Sequence, residues 1–146
     1  MHVIGPAVVY FAIVFAAGFA LGVLRTLLVA PAIGQAAAVA IELPVILVVS
    51  WYACRWTLDR FSVPPTTMSR LGMGAVAFAL LMSAEFELTA AMMYFEPTSL
   101  PQCADTTGSV ANCFLTSLIA PDRLLGLAGQ IVFALMPWIA LYVPKR

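Results

Sequence analysis

The chain has 146 residues, of which 63% are hydrophobic and only 10% are charged, whereas soluble domains carry about 25% charged residues. Its seven basic residues are balanced by seven acidic ones, so the net charge gives no support to a nucleic-acid partner. The composition excludes a soluble domain and predicts a helical protein of the lipid bilayer, because backbone polar groups in lipid must be bonded within each segment.

Four apolar stretches are long enough to cross a bilayer, for which about 18 consecutive apolar residues suffice. We predict an all-α fold, a four-helix transmembrane bundle in which residues 1–146 form a single integral membrane domain. The spans are expected at about residues 5–30, 32–53, 71–95 and 123–143. The first span lacks basic residues before it and is too long for a signal peptide, so we expect it to stay uncleaved. Pro31 and Gly34 are expected to end it and turn the chain.

The connections between the spans predict the orientation of the bundle. Residues 55–70 and the C-terminal tail hold five of the seven basic residues, and basic residues concentrate in cytoplasmic loops. We therefore expect both termini to be cytoplasmic and a bacterial inner membrane as the location. The loop of residues 96–122 then faces outward, and Val110 to Ala120 are apolar enough to form a short helix at the interface.

Two of the three cysteines, Cys103 and Cys113, lie in this outer loop, where a disulfide can persist. Closing a loop of this length stabilises a fold by roughly 2.5–3 kcal/mol in the chain-entropy model. Two unrelated free thiols are the alternative. Cys54, at the cytoplasmic end of the second span, is interpreted as a plain small apolar residue.

Polar side chains inside the predicted spans are the candidate functional residues, because charges at membrane depth are costly and nearly always face protein or water. Counted from the outer helix ends at ~1.5 Å per residue, Arg25 lies ~8 Å deep. Glu42, Glu85 and Gln130 lie ~12–15 Å deep, so all four fall in the outer half of the bilayer. The sequence therefore predicts one buried polar cluster formed by Arg25, Glu42, Glu85 and Gln130.

The helical faces of these residues favour such a cluster. Gly18, Gly22 and Arg25 share a face of the first span, and a Gly-x-x-x-Gly pattern lets two helix backbones approach closely. Small residues also surround Gln130 on the fourth span, with Arg123 above it. Arg25 is therefore expected to point into an interface between helices.

The third span offers two glutamates, of which only one can point into the cluster. Glu85 shares a face with Thr89 but also with bulky residues. Glu87 points to nearly the opposite side, where the neighbours are smaller. Depth favours Glu85 and small neighbours favour Glu87, so both alternatives stay open, with Glu85 preferred. Glu87 is then left for another subunit, for the outer interface, or for a protonated and locally satisfied state.

No arrangement of residues typical of catalysis accompanies the cluster. His2, at the extreme N-terminus, is the only histidine, so no histidine is available for haem or metal ligation within the membrane. The sequence contains no phosphate-binding loop, dinucleotide fingerprint or Cys-x-x-Cys pair. Glu85 and Glu87 face apart, which argues against a metal held by carboxylates alone. We predict no enzyme activity, no cofactor and no metal.

A series of short motifs follows the chain. An LGxxR element ends the first helix at Arg25, a Pro-x-x-Gly turn ends at Gly34, and a Glu-x-Pro element begins at Glu42. Glu85 and an FALMP element at residues 133–137 come later. With these motifs the chain resembles a widespread group of small, four-span bacterial membrane proteins of unknown function. The resemblance implies no activity or cofactor, but it singles out Arg25, Glu42 and Glu85 as the positions to test.

The polar cluster allows two main functions, and a site where Arg25 captures an anionic head group or an acidic substrate is a further alternative. In the first, the chain is a non-catalytic accessory or assembly subunit of a membrane complex, and a buried Arg–Glu network fixes helix register and partner choice. In the second, it is a small proton- or cation-coupled carrier or channel in which Glu42 or Glu85 titrates or holds a cation. The lipid bilayer and other membrane subunits, or further copies of the chain, are the expected partners.

Overall fold

The structure, a computed structural model, describes residues 3–95, 109–118 and 121–143. Within these ranges the chain forms five helices and no strand: α1 (Ile4–Ile33), α2 (Gln35–Arg60), α3 (Thr67–Phe95), α4 (Val110–Leu118) and α5 (Pro121–Ile139). The predicted all-α architecture is therefore confirmed for the part of the chain that the structure describes.

Three of these helices are long and apolar enough to cross a membrane. α1, α2 and α3 have 30, 26 and 29 residues, with mean hydropathies of 2.5, 1.9 and 1.5. At ~1.5 Å per residue each is longer than the ~30 Å hydrocarbon core of a bilayer. The apolar part of α5, Arg123–Ile139, is shorter. The helices thus indicate a membrane protein with three spans by length and composition.

α1 ends at Gly34 and not at Pro31. It changes to a π-helical turn at Arg25–Val29 and returns to α-helix at Ala30–Ile33, with Pro31 among the first residues of that last segment. A proline is tolerated at the start of a helical segment, where its missing N–H group costs least. Gly34 then adopts φ +84°, a left-handed backbone that glycine accepts without strain, and α2 begins at the next residue. The prediction that Pro31 breaks the helix is therefore wrong.

α2 and α3 both extend beyond the predicted spans, so the connection between them is only residues 61–66. The last turns of α2 stay helical because they are packed, with Thr57 and Leu58 buried. Arg70 in the first turn of α3 donates hydrogen bonds to the carbonyl oxygens of Val63 and Pro64. These bonds hold the turn that connects α2 to α3.

Tyr10 joins the first half of α1 to α5. Its side chain is fully buried, its hydroxyl donates to the carbonyl oxygen of Phe133 at 3.0 Å, and the two rings stack at 4.5 Å. In a regular helix this carbonyl accepts from the N–H group four residues later. That residue is Pro137, which has no N–H group. Tyr10 therefore supplies the donor that Pro137 lacks.

α3 and α5 approach each other closely at Gly74. A methyl group added at Gly74 would overlap the carbonyl oxygen of Ala134. By contrast, the same addition at Gly22 meets nothing within 4 Å, and at Gly18 it meets only Ile46 Cδ1 at 3.8 Å. The predicted close crossing at Gly18 and Gly22 is therefore wrong, because α1 packs there through side chains.

The short helix α4 packs on the end of α3. Phe114 contacts Phe86 edge to face at 5.5 Å, and Met93 packs against Cys113. Cys113 is buried and disulfide-bonded, and Cys54 is a buried free thiol. Cys103 lies outside the described residues, so its pairing with Cys113 stays a prediction.

Candidate functional site

A cavity of about 320 Å³ lies between α1, α2, α3 and α5. Most of its lining is apolar, as at Phe15, Ile46 and Leu81. The polar residues predicted as candidates gather along its wall: Arg25, Glu42, Glu85, Thr89, Arg123 and Gln130. The cavity is therefore the one place where the predicted site residues from four helices come together.

Arg25 and Glu42 form an ion pair across α1 and α2. Arg25 Nη1 lies 3.0 Å from Glu42 Oε2, and the two side chains are 31% and 15% exposed. Arg25 precedes Gly34 by nine residues and Glu42 follows it by eight. Because Gly34 reverses the chain, the two antiparallel helices bring these residues to the same depth. The ion pair between Arg25 and Glu42 is thus a direct consequence of the one-residue connection at Gly34.

Glu85 and Gln130 form a second pair across α3 and α5. The side-chain amide of Gln130 donates to Glu85 Oε1 in a short hydrogen bond. The hydroxyl of Thr89 instead donates to the backbone carbonyl oxygen of Glu85 at 2.9 Å. Thr89 is therefore occupied by its own helix, and Gln130 is the hydrogen-bond donor to the carboxylate, on which the Arg123 cation also acts.

No hydrogen bond or ion pair joins the Arg25–Glu42 pair to the Glu85–Gln130 pair within the described part of the chain. Arg123 lines the same cavity near the start of α5. The structure therefore shows two separate polar pairs that share one cavity, and it does not show the single Arg–Glu network expected from the sequence.

Glu87 lies away from the cavity. Glu85 is half-buried and lines it, whereas Glu87 is exposed on the outer face of α3, with Ser83 and Ala91 exposed one turn to either side. A separation of two residues turns a helical side chain by ~200°. Of the two glutamates that the sequence offered, the structure directs Glu85 inward and Glu87 outward.

Three buried polar atoms at the cavity have no hydrogen-bond partner among the described residues. Arg25 Nε is a buried donor without an acceptor, and Gln130 Oε1 is a buried acceptor without a donor. Glu42 Oε2 also lacks a hydrogen bond, although it lies in the ion pair with Arg25. Buried polar groups are nearly always satisfied in folded proteins. Both atoms have almost no accessible surface, so a bound polar group satisfies them only when their side chains turn toward the cavity.

Sequence reasoning did not find the cavity itself or the presence of Ser50 in its wall. Ser50 donates to the carbonyl oxygen of Ile46 one turn earlier at 2.7 Å, which is a common arrangement in apolar helices. It could have been noticed as a small polar residue on the Glu42 helix. The residues described here contain no group of three or more His, Cys, Asp or Glu side chains placed to hold a metal ion.

Comparisons of this chain with protein-family models, with curated proteins and with solved structures find no match. The resemblance to small four-span bacterial proteins is therefore neither supported nor opposed, and it stays a prediction. The functional argument rests on the cavity, its two polar pairs and the outward-facing Glu87.

Proposed function

We propose that the chain is a four-span protein of a bacterial inner membrane, with both termini in the cytoplasm. α5 supports a fourth span, because it packs along α2 and α3 and its apolar stretch is followed by further apolar residues up to Val143. Arg55 donates to the carbonyl oxygen of Val143 at 3.1 Å, so the end of this span lies beside the basic end of α2. Both basic segments then share one side, as the positive-inside rule expects.

We propose further that the chain acts as a non-catalytic accessory or assembly subunit of a membrane complex. The observation that carries this proposal is Glu87, an exposed carboxylate in a membrane-length helix with no hydrogen bond or ion pair to another described residue. Charged groups at membrane depth nearly always face protein or water and pair with a partner. A helix of another subunit, carrying a basic or hydrogen-bonding side chain at the same depth, is the partner that suits this face.

Site-specific photo-crosslinking in the native membrane tests the proposed partner. A photoreactive residue at Ala91, one turn from Glu87 and exposed, is expected to capture a different membrane protein. The same residue at Val48, an exposed position on α2, is the matched control and should capture none. Glu87→Leu should abolish the adduct at position 91. Crosslinks to lipid alone at both positions, or an adduct unchanged by Glu87→Leu, would contradict the proposal.

A proton- or cation-coupled carrier or channel is the second candidate function. It is supported by the position of Glu42 and Glu85, two carboxylates that line one cavity within the membrane-length helices. Carboxylates in such positions occur in ion pathways and proton relays. In this function the two side chains hold the transported ion in turn, and Arg25 tunes Glu42.

Flux measurements on the reconstituted protein separate the two functions. A carrier is expected to move protons or monovalent cations, and Glu42→Gln and Glu85→Gln should remove the flux while the helical fold is kept. Absence of flux in the wild-type protein, together with loss of folding in the variants, would contradict the carrier and leave the accessory subunit.

A further inference from the structure

The cavity opens to the outer surface of the bundle between α1 and α3. Phe19 on α1 and Leu88 and Met92 on α3 line the cavity, and the same residues are 55%, 40% and 40% exposed. Residues that line a cavity and are also exposed form its mouth. Because this mouth is apolar and belongs to membrane-length helices, an occupant reaches the cavity from the hydrocarbon of the bilayer.

The polar wall of the cavity defines the chemistry of the occupant. Arg25 and Arg123 are balanced by Glu42 and Glu85, so a ligand without net charge suits the site. Arg25 Nε needs an acceptor and Gln130 Oε1 needs a donor. A ligand that carries both an anionic group and an N–H donor satisfies the two atoms together, and leaving either atom unsatisfied is unfavourable.

The volume of the cavity limits how much of a ligand can enter. Ligand pockets usually measure about 300–1,000 Å³, and this cavity, at about 320 Å³, is near the lower end. A head group and the first part of an apolar chain fit this space, whereas a complete two-chain lipid does not. The chains of such a lipid stay in the bilayer, against the mouth formed by Phe19, Leu88 and Met92.

We propose that the cavity binds the head group of a zwitterionic lipid that carries a phosphate and a primary ammonium group. The phosphate accepts from Arg25, and Arg123 is the second cation nearby. The ammonium group donates to Gln130 Oε1 beside Glu85. A primary ammonium has three N–H donors, whereas a quaternary ammonium has none and leaves Gln130 unsatisfied. The site depends on the membrane placement of the helices but not on the partner proposed at Glu87.

Native mass spectrometry of the full chain in detergent, with added lipids, tests this site. Phosphatidylethanolamine is expected to bind at least about tenfold more tightly than phosphatidylcholine, the difference that one hydrogen bond to a charged group makes, and more tightly than phosphatidylglycerol, whose head group has hydroxyl donors but no cation to face Glu85. Soluble phosphoethanolamine has the same head group without chains, and it should displace the lipid only weakly. Displacement at equal concentration would assign the site to a soluble zwitterion. Equal binding of the three lipids would overturn the proposal.

Substitutions in the cavity connect the preference to particular atoms. Gln130→Leu should abolish the preference for phosphatidylethanolamine over phosphatidylcholine. Arg25→Lys keeps the charge beside Glu42 but removes the Nε donor, and it should weaken the binding of all three lipids. Gln35→Leu, at an exposed position that does not line the cavity, is the control and should leave the preference unchanged. An unchanged preference in Gln130→Leu would overturn the proposal.

The comparison of the three lipids on the wild-type chain needs no substitution. It therefore tests the proposed lipid site even where a variant fails to fold. The crosslink expected from Ala91 is independent of Gln130. Loss of that crosslink in Gln130→Leu would point to a damaged fold, whereas loss of the lipid preference alone would point to the cavity. Failure of the lipid site is thereby distinguished from failure of the proposed subunit function.

Discussion

At the scale of single residues, the ion pair between Arg25 and Glu42 shows how the chain makes an intramembrane charge tolerable. Each side chain alone would be an uncompensated charge in a mostly apolar cavity. The pair removes that penalty, and the free energy of unfolding therefore depends on both partners being present. The contribution of the ion pair to stability can therefore be measured only when the two residues are changed together as well as singly.

We expect Glu42→Gln and Arg25→Gln each to lower the free energy of unfolding by about 2–3 kcal/mol, less than for a fully buried pair because Arg25 is 31% exposed. The double variant should recover part of this loss, since no unpaired charge remains. Denaturant unfolding of the purified protein in micelles, analysed as a double-mutant cycle, measures the coupling. Strictly additive losses would show that the two charges do not interact.

The Tyr10 hydroxyl likewise provides a partner for a buried polar group, in this case a backbone carbonyl. We expect Tyr10→Phe to destabilise the fold by about 1–3 kcal/mol, because it leaves the buried carbonyl of Phe133 without a donor. Pro137→Ala restores a helical N–H group to that carbonyl and should reduce the cost of Tyr10→Phe. Thermal unfolding followed by circular dichroism measures both effects. Tyr52→Phe, at an exposed position on α2, is the control and should change little.

At the scale of helices, α3 and α5 cross in close contact at Gly74. Gly74 allows it, because the backbone of Ala134 occupies the space that a side chain would need. The neighbouring helix α1 carries the more conspicuous pair of glycines but leaves open space at Gly22. The importance of a glycine thus depends on what faces it and not on its spacing from another glycine.

This contrast predicts opposite outcomes for two similar substitutions. Gly74→Ala should destabilise the protein by about 1–3 kcal/mol, because the added methyl group forces α3 and α5 apart. Gly22→Ala should be neutral or stabilising by up to about 1 kcal/mol, because alanine is the better helix former. Unfolding of both variants under the same conditions gives the comparison. Equal changes in stability in the two variants would show that the close approach of α3 to α5 does not determine the cost of the added methyl group.

The helical class, the membrane placement and the inward residues on α2 and α5 were predictable, since they follow from apolar length and from ~100° per residue. The helix ends were not, because packing at Thr57 and Leu58 continues α2 beyond the polar boundary. The π-helical turn at Arg25–Val29 has no local sequence pattern. The cavity arises from the arrangement of four helices, so no single stretch of sequence indicates it.

At the scale of the whole molecule, the orientation in the membrane is the property on which both proposed functions depend. Gln35, just after the turn at Gly34, and Arg60, at the end of α2, are both exposed and lie at opposite ends of one helix. A single membrane-spanning helix therefore carries a reporter position at each end. Cys54 is buried and contributes little background.

We expect a membrane-impermeant thiol reagent applied to intact cells to label Gln35→Cys and not Arg60→Cys. In inverted vesicles the pattern should reverse, because the connection of residues 61–66 is flanked by Arg60 and Arg70 and is therefore expected in the cytoplasm. The extent of labelling is read from the mass shift of the purified chain. Labelling of Arg60→Cys from outside would place both termini outside the cell and contradict the proposed topology.

The bond between Tyr10 and Phe133 has a consequence for the order of synthesis. Its two residues are 123 positions apart, in α1 and α5, so the ribosome delivers α1 well before α5. Until α5 emerges, Tyr10 has no acceptor there, and until α1 docks, the carbonyl freed by Pro137 has no donor. Lipid supplies neither. The carbonyl group of Phe133 in α5 therefore gains its donor only when α5 contacts α1. This part of the bundle consequently assembles after both helices have been synthesised.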